Sequence, residues 1–273
     1  MVIVEILSMK LAGSRSRRAV SFGAAWALAF AGMVATLQPA GAVDVAANTP
    51  AGAEAGEAAA DPAEAPKPRD YRIAVLGDSL GEGVYAGLAQ LVRDEPNIAV
   101  KKYARVNTGI ARSDRYNWPE AADELADRPM DAALLVFGAN DLQTIRESGK
   151  AYYYKQEAWE KHYRNRVAHI VKAFSDRGIK VYWLSLPITR KNRFQKDYAY
   201  LNQIFKEEAE ANGATFIDAW SFFADEDGNY SATFTKDGTS KIIRASDGVH
   251  FTPLGYQVYA GLALDKLRAD LNF

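Results

Sequence analysis

The chain has 273 residues, no cysteine and nearly balanced charge, with 33 Lys and Arg against 34 Asp and Glu. The absence of thiols excludes disulfide frameworks, catalytic cysteines and Cys-based zinc sites, and the balanced charge argues against an electrostatic nucleic-acid footprint. The apolar share of 48% is that of an ordinary globular protein.

Residues 1–42 have the pattern of a secretory signal peptide. A basic start that includes the arginine pair 17–18 precedes an alanine-rich apolar run over residues 19–37, and residues 40–42 form an Ala-Gly-Ala cleavage pattern. The run approaches the ~20 residues that span a bilayer, so an uncleaved membrane anchor is the alternative. The arginine pair leaves both Sec and Tat export open. We expect an exported protein whose membrane contact is limited to this segment.

Residues 43–69 are rich in Ala, Glu, Pro and Gly, with no aromatic residue and no usable periodicity. Such a segment cannot bury enough apolar surface to offset the entropy lost on ordering, so we expect a disordered linker. Residues 70–273 remain as one well-buried domain.

Strand and helix patterns alternate through this domain. Short apolar runs predict five strands, at residues 73–76, 98–106, 132–137, 179–186 and 214–218. Apolar stripes and caps predict helices from Leu80, from Trp118-Pro119, along residues 159–174 and 198–211, and from Pro253 behind the cap Thr252. Residues 225–243 form an insertion with glycine turn signals, which predicts a hairpin beside the cleft. The alternation predicts an α/β fold: a five-stranded parallel sheet in a three-layer α/β/α sandwich.

Polar residues that can carry chemistry follow the predicted strands. Ser79 follows the first strand, Gly109 the second and Asn140 the third, while Asp247 and His250 directly precede the last helix. Because the carboxyl ends of parallel strands meet at one edge of a sheet, we expect all five at the same edge.

These residue types fill the roles of nucleophilic acyl transfer. A serine needs a base to take its proton, a carboxylate to orient the base, and donors that stabilise the oxyanion. His250 is the candidate base and Asp247 its orienting group. The candidate oxyanion donors are the backbone N–H groups of Ser79 and Gly109 and the side-chain amide of Asn140. A turn serine that only caps a helix is the alternative interpretation of Ser79.

With these residues the sequence resembles the SGNH hydrolases, also called the GDSL esterase/lipase family. The matching positions are Gly-Asp-Ser-Leu at 77–80 with Ser79, Gly109, Asn140 in Gly-Ala-Asn-Asp, and the Asp247/His250 block. The segment 107–112 around Gly109 is looser than the usual family form. The resemblance implies a flavodoxin-like fold and a Ser-His-Asp ester hydrolase without cofactor or metal, similar to a periplasmic branch of Gram-negative bacteria.

The expected substrate is an O-acyl ester, most simply acetyl, on a cell-envelope glycan. Candidate substrate-binding residues are Asp78, Arg112, Asp141, Arg190 and Arg193. The alternatives are an O-acetyltransferase on the same kind of glycan, a lysophospholipase or thioesterase, and an inactive glycan-binding envelope protein. No nucleic-acid partner is expected.

The aromatic residues and histidines of the predicted helix 159–174 are expected to have structural rather than functional roles. Trp159 and Tyr163 fall on the apolar stripe and are predicted to pack in the core. His162 and His169 are two helical turns apart, about 10 Å by helical rise, too far to share one metal, and are predicted to face solvent. Two interpretations of the tyrosine triplet 152–154 remain open: packing within the domain and stacking on a sugar ring.

Overall fold

A five-stranded parallel sheet lies at the centre of the computed structural model, which describes residues 70–236 and 238–273. The strands are β1 (Tyr71–Gly77), β2 (Ile98–Lys102), β3 (Ala132–Val136), β4 (Ile145–Glu147), β5 (Lys150–Tyr152), β6 (Lys180–Leu184), β7 (Thr215–Ile217), β8 (Thr233–Lys236) and β9 (Thr239–Ile242). The central sheet has the order β2-β1-β3-β6-β7, and every neighbouring pair in it is parallel. The middle strand β3 is Ala-Ala-Leu-Leu-Val and is buried throughout, as expected for a strand covered on both faces.

Residues 70–236 and 238–273 contain six helices. They are α1 (Ser79–Leu91), α2 (Trp118–Ala126), α3 (Glu157–Ser175), α4 (Asn192–Ala211), α5 (Ala219–Phe223) and α6 (Pro253–Leu271). Helix α1 packs against α6, and α3 packs between α2 and α4. The predicted three-layer α/β/α sandwich and its five-stranded parallel sheet are therefore confirmed.

Element boundaries differ most from the sequence-based prediction at the end of β2 and at the start of α4. Strand β2 ends at Lys102 rather than at residue 106, although the N–H groups of Tyr103 and Arg105 still donate to carbonyls of β1. Helix α4 begins at Asn192, six residues before the predicted start. The prediction missed these turns because Phe194 is the one apolar residue among residues 192–197, so they show no apolar stripe. The predicted cap of α6 is confirmed, with Thr252 accepting the N–H of Gly255, and α2 begins at the predicted Trp118 behind the cap Asn117.

Two antiparallel hairpins extend from the sandwich. Strands β8 and β9 form the hairpin that the insertion predicted. Strands β4 and β5 form a second, short hairpin that the sequence did not indicate, because its strands have three residues each. No helix within the described ranges combines the length and apolarity that a bilayer crossing requires. The predicted signal peptide (1–42) and linker (43–69) lie outside the described residues.

Candidate active site

Ser79 lies where β1 turns sharply into α1. The last residue of β1, Gly77, has φ +153°, and a Cβ there would lie 2.0 Å from the carbonyl oxygen of Val136 on β3, so only glycine fits. The next residue, Asp78, caps α1 by accepting the N–H of Leu80 at 2.9 Å. Ser79 is the first residue of the helix and is partly exposed. The turn therefore presents its hydroxyl at the carboxyl edge of the sheet, beside the positive end of α1.

Ser79, His250 and Asp247 form one continuous hydrogen-bonded chain. Ser79 Oγ lies 2.9 Å from His250 Nε2, and His250 Nδ1 lies 2.6 Å from Asp247 Oδ2. The other carboxylate oxygen, Asp247 Oδ1, accepts the backbone N–H groups of Val249 and His250, both at 2.9 Å. Burial by itself would raise the pKa of Asp247, but these hydrogen bonds lower it to about 2. Asp247 is thus held ionised and oriented toward the imidazole.

The three candidate oxyanion donors lie on neighbouring loops. The side-chain amide of Asn140 donates to the carbonyl oxygen of Thr108 at 2.9 Å, which places it beside Gly109. An amide nitrogen carries two hydrogens, so the second hydrogen of Asn140 stays available to a ligand. The backbone N–H groups of Ser79 and Gly109 have no acceptor among the described residues. These groups provide the free donors that an oxyanion hole needs.

Gly109 is fixed by a close approach to Asp141. A Cβ at position 109 would lie 2.3 Å from Oδ1 of Asp141. That carboxylate is fully buried and accepts the N–H of Ala111 and the hydroxyl of Tyr163, each at 2.8 Å. Burial raises the pKa of Asp141, while the hydrogen bonds from Ala111 and Tyr163 oppose the rise. Asp141 therefore ties the loop of Gly109 to the loop of Asn140.

The prediction that Asp78 and Asp141 bind substrate is wrong. Both side chains are completely buried, and their oxygens are occupied by protein donors. Asp78 accepts the N–H of Leu80 and, at 3.0 Å, the N–H of Ala139. Burial, together with the negative charge of Asp141, raises the pKa of Asp78 to about 7 despite these bonds. The two carboxylates position the loops that carry the site.

One protein family model, described as "Protein of unknown function (DUF459)", matches residues 72–266. The chain belongs to the DUF459 family. No curated protein matches the sequence.

Three solved structures illustrate the fold that this DUF459 protein shares. A provisionally assigned SGNH hydrolase from Slackia heliotrinireducens is 18% identical, with a TM-score of 0.51 over 73% of this chain and 100% of that chain. A catalytic mutant of an acetylxylan esterase from Geobacillus stearothermophilus is 16% identical, with a TM-score of 0.52 over 73% and 94%. A GDSL-like lipase from Bacteroides thetaiotaomicron is 16% identical, with a TM-score of 0.50 over 73% and 88%. The DUF459 protein therefore has the SGNH hydrolase fold.

The basic residues that were predicted to bind substrate have different surroundings. Arg112 forms a bidentate pair with Asp114, at 2.6 and 2.7 Å, so its guanidinium is already engaged. Arg190 is exposed, but its guanidinium donates to the carbonyl oxygen of Ser246. Ser246 lies in residues 245–252, the loop that carries Asp247 and His250 and is called the catalytic loop below. Arg193 is exposed, lies 4.5 Å from the centre of the Phe194 ring and has no carboxylate partner among the described residues. Of the three, Arg193 is the one left free for a ligand.

The aromatic residues of α3 pack as predicted. Trp159 and Tyr163 are fully buried and stack with ring centres 4.6 Å apart. Tyr163 has an additional role that the sequence did not reveal, since its hydroxyl donates to Asp141. In the tyrosine triplet 152–154, only Tyr153 is largely exposed, at 59%.

The two histidines of α3 pair with acids instead of being merely solvated. His162 lies 2.9 Å from Glu147 and stacks on Tyr152, and His169 lies 2.8 Å from Asp123. Within the described ranges, no group of three or more His, Asp or Glu side chains is arranged to hold a metal ion.

Proposed function

We propose that this DUF459 protein is a serine ester hydrolase that works through an acyl-enzyme. The observation that carries the proposal is the unbroken hydrogen-bonded chain from Ser79 through His250 to Asp247. A hydroxyl activated in this way becomes a nucleophile toward an ester carbonyl. The free donors of Ser79, Gly109 and Asn140 supply the second requirement, which is stabilisation of the negative charge that develops on the carbonyl oxygen.

The proposed reaction has two halves. Ser79 Oγ attacks the ester carbonyl while His250 Nε2 takes the hydroxyl proton, and the carbonyl oxygen becomes an oxyanion. His250 then gives that proton to the departing alcohol, which leaves an acyl group on Ser79. In the second half, His250 takes a proton from the water that attacks the acyl group and then returns it to the departing Ser79 Oγ, and the acid is released. Asp247 accepts the hydrogen bond of Nδ1–H in both halves, so Nε2 is the nitrogen that takes up and gives back the proton.

For the substrate we propose an O-acetyl ester on a cell-envelope glycan of the periplasm. Three observations support it: the signal-peptide pattern of residues 1–42, the exposed Tyr153 in the segment that follows Asn140, and the exposed Arg193 in the first turn of α4, which has no carboxylate partner among the described residues. An aromatic face can stack on a sugar ring, and a cation can bind an anionic group of the glycan. An acetylxylan esterase with the same fold is consistent with this chemistry.

The activity is tested with p-nitrophenyl acetate and three proteins. Wild type should release p-nitrophenol, and Ser79→Ala should lose that activity. Ser175→Ala is a matched control, because Ser175 ends α3 at the opposite edge of the sheet and should keep the wild-type rate. Equal rates in wild type and Ser79→Ala would exclude the proposed nucleophile.

Transfer to another sugar is the competing fate of the acyl group. An O-acetyltransferase would use the same acyl-enzyme and resolve it with a sugar hydroxyl instead of water. Supplying acetylated glycan together with an unacetylated acceptor, and following the products by mass spectrometry, separates the two reactions. Free acetate alone supports the hydrolase, and acetylated acceptor supports the transferase.

A further inference from the structure

Arg244 is a buried cation without a carboxylate partner. The residue lies two positions after the end of β9 and is 3% exposed, yet no described residue forms an ion pair with it. Its guanidinium instead donates to three backbone carbonyls, those of Ile188 at 2.8 Å, Val249 at 3.0 Å and, more weakly, Gly248 at 3.4 Å. Burying an unpaired charge is costly, so such a residue requires a physical explanation.

The carbonyls that Arg244 contacts belong to the peptide groups that hold the catalytic carboxylate. The carbonyl of Gly248 and the N–H of Val249 are the two ends of one peptide group, and the carbonyl of Val249 and the N–H of His250 are the two ends of the next. Both N–H groups donate to Oδ1 of Asp247 at 2.9 Å. Two successive peptide groups therefore connect the guanidinium on one side with the carboxylate on the other.

This arrangement couples the two charges through the peptide groups. In a trans peptide the C=O and N–H point in opposite directions, so a cation at the oxygen polarises the N–H toward its acceptor. Aromatic faces stabilise the cation from two further sides, with the rings of Phe251 and Tyr230 centred 4.2 and 4.9 Å from its guanidinium carbon. The contact to Ile188 also ties the catalytic loop to the segment that follows β6.

We propose that Arg244 is a positioning residue for the catalytic acid–base pair: acting through the peptide groups 248–249 and 249–250, it orients Asp247 and thereby His250. The kinetic part of this proposal rests on the proposed ester hydrolysis. Arg244 itself touches no reacting atom. Its effect should appear in the chemical step, because the loop that it contacts carries His250.

The first test compares Arg244→Met and Arg244→Lys with wild type. Arg244→Met should lower kcat about 100-fold with little change in KM, the scale expected when a catalytic group moves by about 1 Å. Arg244→Lys keeps the charge but cannot reach three carbonyls, so a loss of roughly 10-fold is expected. Ile170→Ala is the control, because it removes buried side chain from α3 and should lower Tm while leaving kcat unchanged. Both Arg244 variants with wild-type kcat would overturn the proposal.

A double-mutant cycle separates positioning from general destabilisation. If Arg244 acts through Asp247, the Arg244→Lys loss should shrink to about 2-fold in an Asp247→Asn background, since sites in one hydrogen-bond network are not additive. If Arg244 only stabilised the fold, the losses of kcat in Arg244→Lys and in Asp247→Asn would multiply in the double variant. That result would contradict the proposal.

Amide NMR provides a readout that does not depend on activity. The backbone N–H signals of Val249 and His250 should move upfield in Arg244→Lys, toward their positions in Asp247→Asn, because their hydrogen bonds weaken. Signals that stay at the wild-type positions would overturn the proposal. If wild type and Ser79→Ala prove equally inactive on esters, the proposed function fails, and these two signals still decide the coupling of Arg244 to Asp247.

Discussion

Gly109→Ala tests how closely the loop of Gly109 packs against Asp141. The added Cβ would lie 2.3 Å from Oδ1 and 3.1 Å from Cγ of Asp141, whereas ordinary van der Waals contact begins at 3.4 Å. The carboxylate cannot stay in place and has to move by about 1 Å, a displacement large enough to break hydrogen bonds.

The magnitude follows from what holds Asp141. Its carboxylate accepts hydrogen bonds of 2.8 Å from Ala111 and from Tyr163, and it is fully buried. Each hydrogen bond to a charged group contributes about 1.5–3 kcal/mol, so weakening both should lower the free energy of unfolding by about 2–5 kcal/mol. The N–H of residue 109 and the amide of Asn140 would be displaced as well, which should lower kcat about 100-fold or more.

The assay pairs p-nitrophenyl acetate kinetics with urea unfolding. Asp141→Ala removes the group that the new Cβ meets, so adding Gly109→Ala to that background should cost little further stability or activity. Asn140 remains 3.5 Å from the new Cβ, an ordinary contact. Two results would contradict a close contact between residue 109 and Asp141. One is a wild-type kcat in Gly109→Ala, and the other is an equal loss of stability and kcat from Gly109→Ala in wild type and in Asp141→Ala.

Three further predictions concern charged side chains. Asp247→Asn should lower kcat about 10³- to 10⁴-fold in steady-state assays, because an amide no longer fixes the imidazole tautomer; activity near that of wild type would contradict the role of Asp247. Asp78 has its pKa raised from 3.8 to about 7 in the folded protein, so its contribution to stability is complete below about pH 4 and is lost as the pH rises through about 7. Urea unfolding at pH 5 and 8 should show this loss in wild type and a smaller one in Asp78→Asn, and identical pH dependence would contradict it. Arg193→Gln should raise KM for an anionic acetylated glycan and leave p-nitrophenyl acetate kinetics unchanged; an unchanged KM for the glycan would remove Arg193 from substrate binding.

The positions of the polar residues directly after the strands were enough to predict that they lie close together. Parallel strands share one carboxyl edge, so Ser79, Gly109 and Asn140 could be placed side by side without knowing any distance. The D-x-x-H spacing of Asp247 and His250 allowed their contact, which the structure has at 2.6 Å. The fold could be predicted for the same reason, because alternating strand and helix patterns permit few topologies.

The sequence could not reveal which way the charged side chains point. A carboxylate directly after a strand, such as Asp78 or Asp141, can face the cleft or turn inward to backbone N–H groups, and both turn inward. Arg244 follows two isoleucines at the end of β9, where an outward-facing arginine is the ordinary expectation. The position of Tyr163 on an apolar stripe predicted that its ring is buried, but it gave no indication that its hydroxyl donates to Asp141. Each of these side chains has a partner that is distant in sequence: Ala139 for Asp78, Ala111 for Asp141, Asp141 for Tyr163 and Ile188 for Arg244.

Covalent labelling of Ser79 tests whether His250 activates its hydroxyl. The protein would be incubated with a p-nitrophenyl alkylphosphonate, which reacts with an activated serine hydroxyl, and the modified residue located by peptide mass spectrometry. One adduct is expected, on Ser79, that is absent in Ser79→Ala and forms much more slowly in His250→Ala. An adduct on another residue, or equal labelling of wild type and His250→Ala, would contradict it.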